Sequence, residues 1–213
     1  METVLTYVVL AVVAVRLVSA ARLSLRGPGR TTVRRVFRRL RWRHFWPIPI
    51  VLGAVASLAT LLWEVPGLSW GWWTSIGGGG NPVTGTTDRT TGTVWEWLIP
   101  LVFLLLVMPA LPLFALAEER MFRRGAEQWS TFRRVWKTLA FGIVHAVIGI
   151  PIAVALALSL GGAYFMSVYL RCFRTTGDPQ EAVLESTAAH TAYNAVIFLV
   201  ALVAIILTAA QVA

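Results

Sequence analysis

VWEWLIPLVFLLLVMPALPLFALA, from Val94 to Ala117, runs straight into Glu118-Glu119-Arg120, and its reading decides the fold class. A helix needs about 20 apolar residues to cross a bilayer, and this run supplies them. The period-2 alternation of a membrane β-strand is absent. In lipid, every backbone N–H and C=O must be satisfied within the structure itself. The segment therefore reads as a transmembrane α-helix. Pro109 and Pro112 interrupt its last turns, so a kink is expected just before the acidic pair.

The same reading extends outward. Val4 to Ala21 has Glu2 before it and arginines after it, the reverse of a secretory signal peptide. It is read as an uncleaved anchor with its N-terminus outside, and Arg16 snorkels to the cytoplasmic face. A second span is expected over Pro47 to Trp63. Between Glu64 and Thr93 lies a polar loop. Trp63, Trp70, Trp72 and Trp73 on one side and Trp95 and Trp97 on the other mark two helix ends at one interface. Its Gly77 to Gly80 run lacks the Lys-Ser/Thr of a phosphate-binding loop and reads as a linker. In Met121 to Lys137, Trp129, Phe132 and Trp136 recur at helical spacing among basic residues, which predicts a helix lying in the interface. Thr138 to Leu170 is too long for one span; Gly149 and Pro151 divide it into a short inward helix and a return helix. The last helix starts near Pro179 and reaches Ala210. The expected fold is all-α: a polytopic transmembrane helix bundle of about six spanning helices in the cell membrane, with both termini outside.

Composition agrees. Of 213 residues, 57% are hydrophobic and 14% charged, against about a quarter charged in a soluble domain. The net charge of +9 is concentrated between apolar runs, with nine of the nineteen basic residues in Arg22 to Arg43. That distribution follows the positive-inside bias and favours anionic lipid headgroups as partners. A nucleic-acid partner would require a soluble basic domain, and no stretch is long enough to form one. Arg171 and Arg174 fall on the cytoplasmic side under the same rule. Cys172, the single cysteine, excludes an internal disulfide and supplies no metal cluster.

Ionisable groups within spans are costly and by default suggest function. His145 and His190 lie within spans, whereas His44 belongs to the arginine-rich loop and is expected at the interface. Phe141 and His145 are four apart and share a helix face, as do His190 and Asn194. Glu118 and Glu119 are set about 100° apart by helix geometry, so they are not expected to face the same pocket. Glu119 stands four before Arg123, the favourable order for an ion pair. Glu118 is left as a free carboxylate.

These residues fall into three motifs: EERMFR from Glu118 to Arg123, FGIVH from Phe141 to His145, and HTAYN from His190 to Asn194. In order and in membrane context they resemble the CPBP intramembrane glutamic endopeptidases, which include the eukaryotic CAAX prenyl-protein protease and carry EExxxR, FxxxH and HxxxN/D motifs. The resemblance covers about Leu113 to Leu199. It implies variable N-terminal helices over 1–93 and a motif-bearing protease core over 94–213. Many family members have Gly directly after the motif arginine; here Arg124 precedes Gly125. The resemblance further implies that Glu118 and His145 hold and activate a water, and that His190 and Asn194 stabilise the oxyanion. Glu119, Arg123 and Phe141 would support them. No metal or other cofactor is implied, and the substrate would be a membrane-associated protein or peptide. The chemistry is coherent: a desolvated carboxylate is a stronger base, and preorganised donors stabilise a tetrahedral intermediate.

Three other readings compete. Two histidines and a glutamate are also zinc ligands, which describes a zinc-dependent membrane protease, although no HExxH helix is present. A scaffold or immunity protein of the same fold would leave the site unused, yet every motif position is intact. A transporter would use the same groups as a proton relay and would show inverted repeats, which the sequence lacks.

Overall fold

The computed structural model describes residues 2–73, 81 and 90–212, and among them there is no β-strand. Helix α1 (Glu2–Leu25) covers the first expected span, and the arginine-rich stretch after it folds as helix α2 (Gly27–Arg39). A short α3 (Trp42–Phe45) leads into α4 (Ile48–Trp63), and α5 (Trp95–Val107) passes through a 3-10 turn at Met108–Ala110 into α6 (Leu111–Phe122). That turn carries Pro109, and the tighter winding is the form the expected kink takes. Then follow α7 (Thr131–Ile143), α8 (Ile152–Ala157), α9 (Ser159–Thr176) and α10 (Pro179–Val212). The Gly77 to Gly80 linker lies outside the described residues.

By length and composition, four stretches of the described residues can cross a membrane: Trp42–Trp63, Trp95–Gln128, Ile152–Thr176 and Pro179–Ala210. The chain is thus all-helical with membrane-spanning character. The interfacial helix expected over Met121 to Lys137 does not form as one element. Gly125, at φ 88°, ends the α6 side in a left-handed turn, and the Ser130 hydroxyl accepts the Arg133 N–H to start α7 afresh. The stretch expected as a short inward helix is the second half of α7, continued as a 3-10 turn over Val144–Ile148; it is not among the four stretches of membrane-crossing length. The expected break does appear: Gly149 adopts φ 92° and Pro151 opens α8.

Two compact units interleave along the chain. One gathers Met1–Thr32, Trp72–Leu111 and Asn194–Ala213; the other gathers Val33–Gly71 and Pro112–Tyr193. In the first, Leu17, Val107 and Leu111 form a buried cluster flanked by Phe103 and Phe198. In the second, Leu116, Ala126, Met166, Tyr169, Ala182 and Val183 do so. Within this second unit α7 packs on α9 at very close range. A Cβ on Gly162 would come 2.8 Å from Phe141 Cδ1 and 3.2 Å from the Thr138 carbonyl oxygen. Only hydrogen fits there, and the close approach delivers the α7 motif residues to α9.

His44 is buried rather than interfacial. Its Nδ1 accepts the Arg41 backbone N–H at 3.2 Å, which leaves Nε2–H to donate to Glu185 Oε1 at 2.7 Å. A carboxylate 141 residues away repays the desolvation of the ring.

Candidate active site

Within the second unit the site begins at the end of α6. Glu119 and Arg123 are both fully buried and pair one helical turn apart, with Nη1 2.9 Å from Oε1. A buried ion pair is tolerated only when its remaining hydrogen-bonding positions are also filled. Here they are. Arg123 lays its guanidinium 4.1 Å from the centre of the Phe141 ring and turns Nη2 to the Gly162 carbonyl at 3.4 Å. Glu119 Oε1 also accepts from His190 Nδ1 at 2.9 Å, and its Oε2 accepts a short bond from the Ser186 hydroxyl. The pair expected from the i,i+4 spacing is therefore one edge of a four-residue network.

That network fixes His190. A carboxylate only accepts, so Nδ1 carries the hydrogen and Nε2 is turned away from Glu119. The ring is stacked on Phe165, centroids 4.3 Å apart, and meets Phe141 edge-on at 5.5 Å. Ser186 and His190 are four apart on α10, and Phe165 faces them from α9. Neither Ser186 nor Phe165 belongs to a sequence motif. The one available signal was that Ser186 shares a helix face with His190.

Glu118 stands on the other side of the same imidazole. Its Oε2 is 3.7 Å from His190 Nε2, beyond hydrogen-bond length, and is buried without a partner although the side chain as a whole is 31% exposed. The two adjacent glutamates thus bracket one ring, contrary to the expectation that they face different pockets. An angle of about 100° between side chains separates their roots; it does not stop two flexible carboxylates from meeting opposite nitrogens of one ring.

His145 reaches the cluster through Phe141. Its ring lies edge-on to that phenyl at 5.1 Å, and its Nδ1 is 2.8 Å from the Phe141 carbonyl oxygen. A carbonyl accepts, so Nδ1 again carries the hydrogen and Nε2 is left as an acceptor. Among the described residues no hydrogen bond or ion pair joins His145 to Glu118. Asn194 stands one turn beyond His190 on α10, half-buried, where the helix passes into the first unit.

The arrangement offers a carboxylate oxygen and a ring nitrogen, both with open valence, 3.7 Å apart at a partly exposed glutamate. A polar contact of this length is the kind that a water spans. No three His, Cys, Asp or Glu side chains among the described residues are arranged to hold a metal ion. No family model, curated protein or solved structure matches the chain.

Proposed function

We propose that this chain is a glutamic-type intramembrane endopeptidase, multi-pass in the cell membrane with about six spans, that hydrolyses peptide bonds of membrane-associated proteins or peptides. The observation that carries the reading is the buried, unpartnered Oε2 of Glu118 facing Nε2 of a histidine whose other nitrogen is held by Glu119. Buried polar atoms are nearly always satisfied, and an exception calls for a missing partner. A water between Glu118 and His190 is such a partner.

In the proposed reaction Glu118 takes a proton from that water as its oxygen attacks the scissile carbonyl carbon. The carbonyl electron pair moves to oxygen, which donors stabilise. When it returns, the C–N bond breaks and the proton on Glu118 passes to the leaving amine. The resemblance to the CPBP proteases assigns the oxyanion to His190 and Asn194. The geometry of Glu118 draws His190 toward water activation, with His145 completing the polar set through Phe141. The carboxylate and both imidazoles can act without a metal, and anionic headgroups along the arginine-rich segment are the expected lipid neighbours.

The test uses purified protein in detergent with a library of fluorogenic membrane-anchored peptides. The Glu118→Gln variant should bind but not cut, and the peptide it traps identifies the substrate. Asn194→Ala should slow turnover by about 10²–10³-fold, the loss expected of one oxyanion donor. Activity that chelators abolish and zinc restores, with stoichiometric zinc in the protein, would make Glu118 a ligand and overturn the reading.

A further inference from the structure

Three arginines meet around a single cavity of about 130 Å³ in the second unit: Arg35 from α2, Arg120 from the last turn of α6 and Arg124 from the turn after it. Gln180, in the first turn of α10, completes the polar rim, and Leu116, Val183 and Leu184 form the floor. None of the three guanidiniums makes a side-chain hydrogen bond or ion pair with a described residue. Among the described residues no acidic side chain lines the cavity.

The nearby acids are already engaged. Glu181 is bonded to Arg39, and Glu185 accepts from Arg43 at 2.6 Å and from His44 at 2.7 Å. Those bonds fasten Arg39 to the start of α10. Arg35, one turn earlier on α2, is on the helix that these bonds place at the cavity rim. The first amides of α10 are also taken: Asp178 Oδ1 accepts from Gln180 N at 2.7 Å and from Glu181 N at 3.4 Å. The positive field at the cavity therefore comes from side chains and not from a free helix end.

Three like charges around one hollow, even at exposed positions where water screens them, favour an anion among them. Guanidinium groups match phosphate oxygens in planar, two-pronged geometry. The volume is below the several hundred Å³ of a drug-sized ligand pocket and suits a compact anion. Arg120 and Arg124 lie toward the end of one candidate span and Gln180 at the start of another, so the cavity sits at headgroup level if those helices cross a bilayer. The apolar floor beside a cationic rim fits a ligand that is charged at one end.

We propose that this cavity is a phosphate-binding site, occupied by the phosphate of an anionic phospholipid or by free phosphate, with Arg35, Arg120 and Arg124 as its ligands. The site does not depend on proteolysis and is separable from it.

The test is native mass spectrometry and binding titration on the full chain in detergent, with dioleoyl phosphatidic acid, dioleoyl phosphatidylcholine and inorganic phosphate as probes. Phosphatidic acid should bind saturably and phosphatidylcholine should not. Arg35→Gln, Arg120→Gln and Arg124→Gln should each weaken binding by about tenfold or more, the loss expected of a charge-assisted contact. The comparison protein carries Arg30→Gln, Arg171→Gln and Arg174→Gln, which remove the same charge from exposed positions away from the cavity. It should bind as the parent does. Saturable displacement of lipid by inorganic phosphate, lost only in the cavity variants, would assign the site to the free ion. Binding of lipid that inorganic phosphate does not displace would assign it to the headgroup. Equal loss in the comparison protein would reduce the effect to general surface charge and overturn the site. So would unchanged binding in the three single variants, whose melting temperature and elution volume report that they remain folded.

Discussion

Nε2 of His190 lies 3.7 Å from Oε2 of Glu118, and no hydrogen bond joins them. On the far side of the ring, Nδ1 is 2.9 Å from Oε1 of Glu119. Of two consecutive carboxylates that flank one imidazole, only Glu119 therefore holds it. Glu119 is saturated by Arg123, His190 and Ser186; the inner oxygen of Glu118 has no partner. Saturation suits a group that fixes geometry, and open valence suits one that meets a reacting molecule. The consequences for stability and for activity should separate along the same line.

For Glu118 the expected effect is on turnover. Glu118→Gln preserves the shape of the side chain and breaks no hydrogen bond to a described residue, so unfolding in detergent should be shifted by less than about 0.5 kcal/mol, the range of substitutions away from structural features. Peptide cleavage should fall by about 10²–10⁴-fold, the usual contribution of a positioned general base. The two readouts on one preparation are a melting curve and a progress curve. Retained cleavage would remove Glu118 from the mechanism.

For Glu119 the order is reversed. Glu119→Ala strands a buried guanidinium, and Arg123→Ala strands a buried carboxylate; each should destabilise the protein by about 3–5 kcal/mol. Replacing both by apolar residues of similar volume, Glu119→Leu with Arg123→Met, should recover part of that loss because no unpaired charge is then left behind. Equilibrium unfolding of Glu119→Ala, Arg123→Ala and the variant that combines these two alanines measures the coupling. Strictly additive losses would mean that the pair is not the unit described here.

Much of this network could be read in advance, for reasons that differ residue by residue. The spacing of Glu119 and Arg123 places them on one helix face whatever surrounds them, so their pairing needed no tertiary information. Gly149 and Pro151 mark a break because their backbone preferences are local. The long apolar stretches are equally local, and four of the six expected spans appear, among the described residues, as helices of membrane-crossing length. Partners far apart in sequence are another matter. Ser186 reaches Glu119 across 67 positions and His44 reaches Glu185 across 141, and no periodicity announces either contact. The division of Met121 to Lys137 was missed for a subtler reason. The aromatic spacing was helical, but it spans the left-handed turn at Gly125 and the fresh N-cap at Ser130, and these outweigh it. The joint grip on His190 was missed because the angle between adjacent side chains was taken to fix where their carboxylates end.

Close packing of α7 on the following helices supplies a test of the scaffold that leaves every polar site residue intact. A Cβ on Gly142 would collide with the Ala155 carbonyl oxygen and approach Ser159 N to 2.8 Å. The Ser159 hydroxyl, also in the way, can turn aside, but the two backbone atoms cannot. Gly142→Ala should therefore cost about 1–3 kcal/mol, as overpacking does, and should lower activity by moving Phe141 and His145 together. Gly53 has nothing within 4 Å of its Cβ position, and Gly53→Ala should be neutral or slightly stabilising, since it lies inside α4 where alanine is the better helix former. Equal effects of the two substitutions on melting temperature would show that α7 is not held in this way.

Topology is open to a labelling measurement that bears directly on the proposed six spans. The end of α9 carries Arg171 and Arg174, and the turn into α10 follows at Gly177 and Asp178. The positive-inside bias places that turn in the cytoplasm, together with the arginine-rich segment around α2. Cys172, half-buried and three residues before the probe position, must first be replaced by serine so that a single thiol is read. In a Cys172→Ser background, Thr175→Cys should resist a membrane-impermeant maleimide in intact cells and react once the membrane is opened. Thr91→Cys, in the loop before α5, should show the opposite pattern, because α5 begins with the interface-favouring Trp95 and Trp97, and sparse basic residues assign that end to the outside under the proposed topology. Glu118, in the last turns of α6, and His190, in the first half of α10, lie close together, on the sides that the proposed topology assigns to the cytoplasm, so the same labelling reports which side water enters from. Reaction of position 175 from outside would invert α9 and α10, remove the six-span topology, and place the entrance to the proposed active site on the opposite face of the membrane.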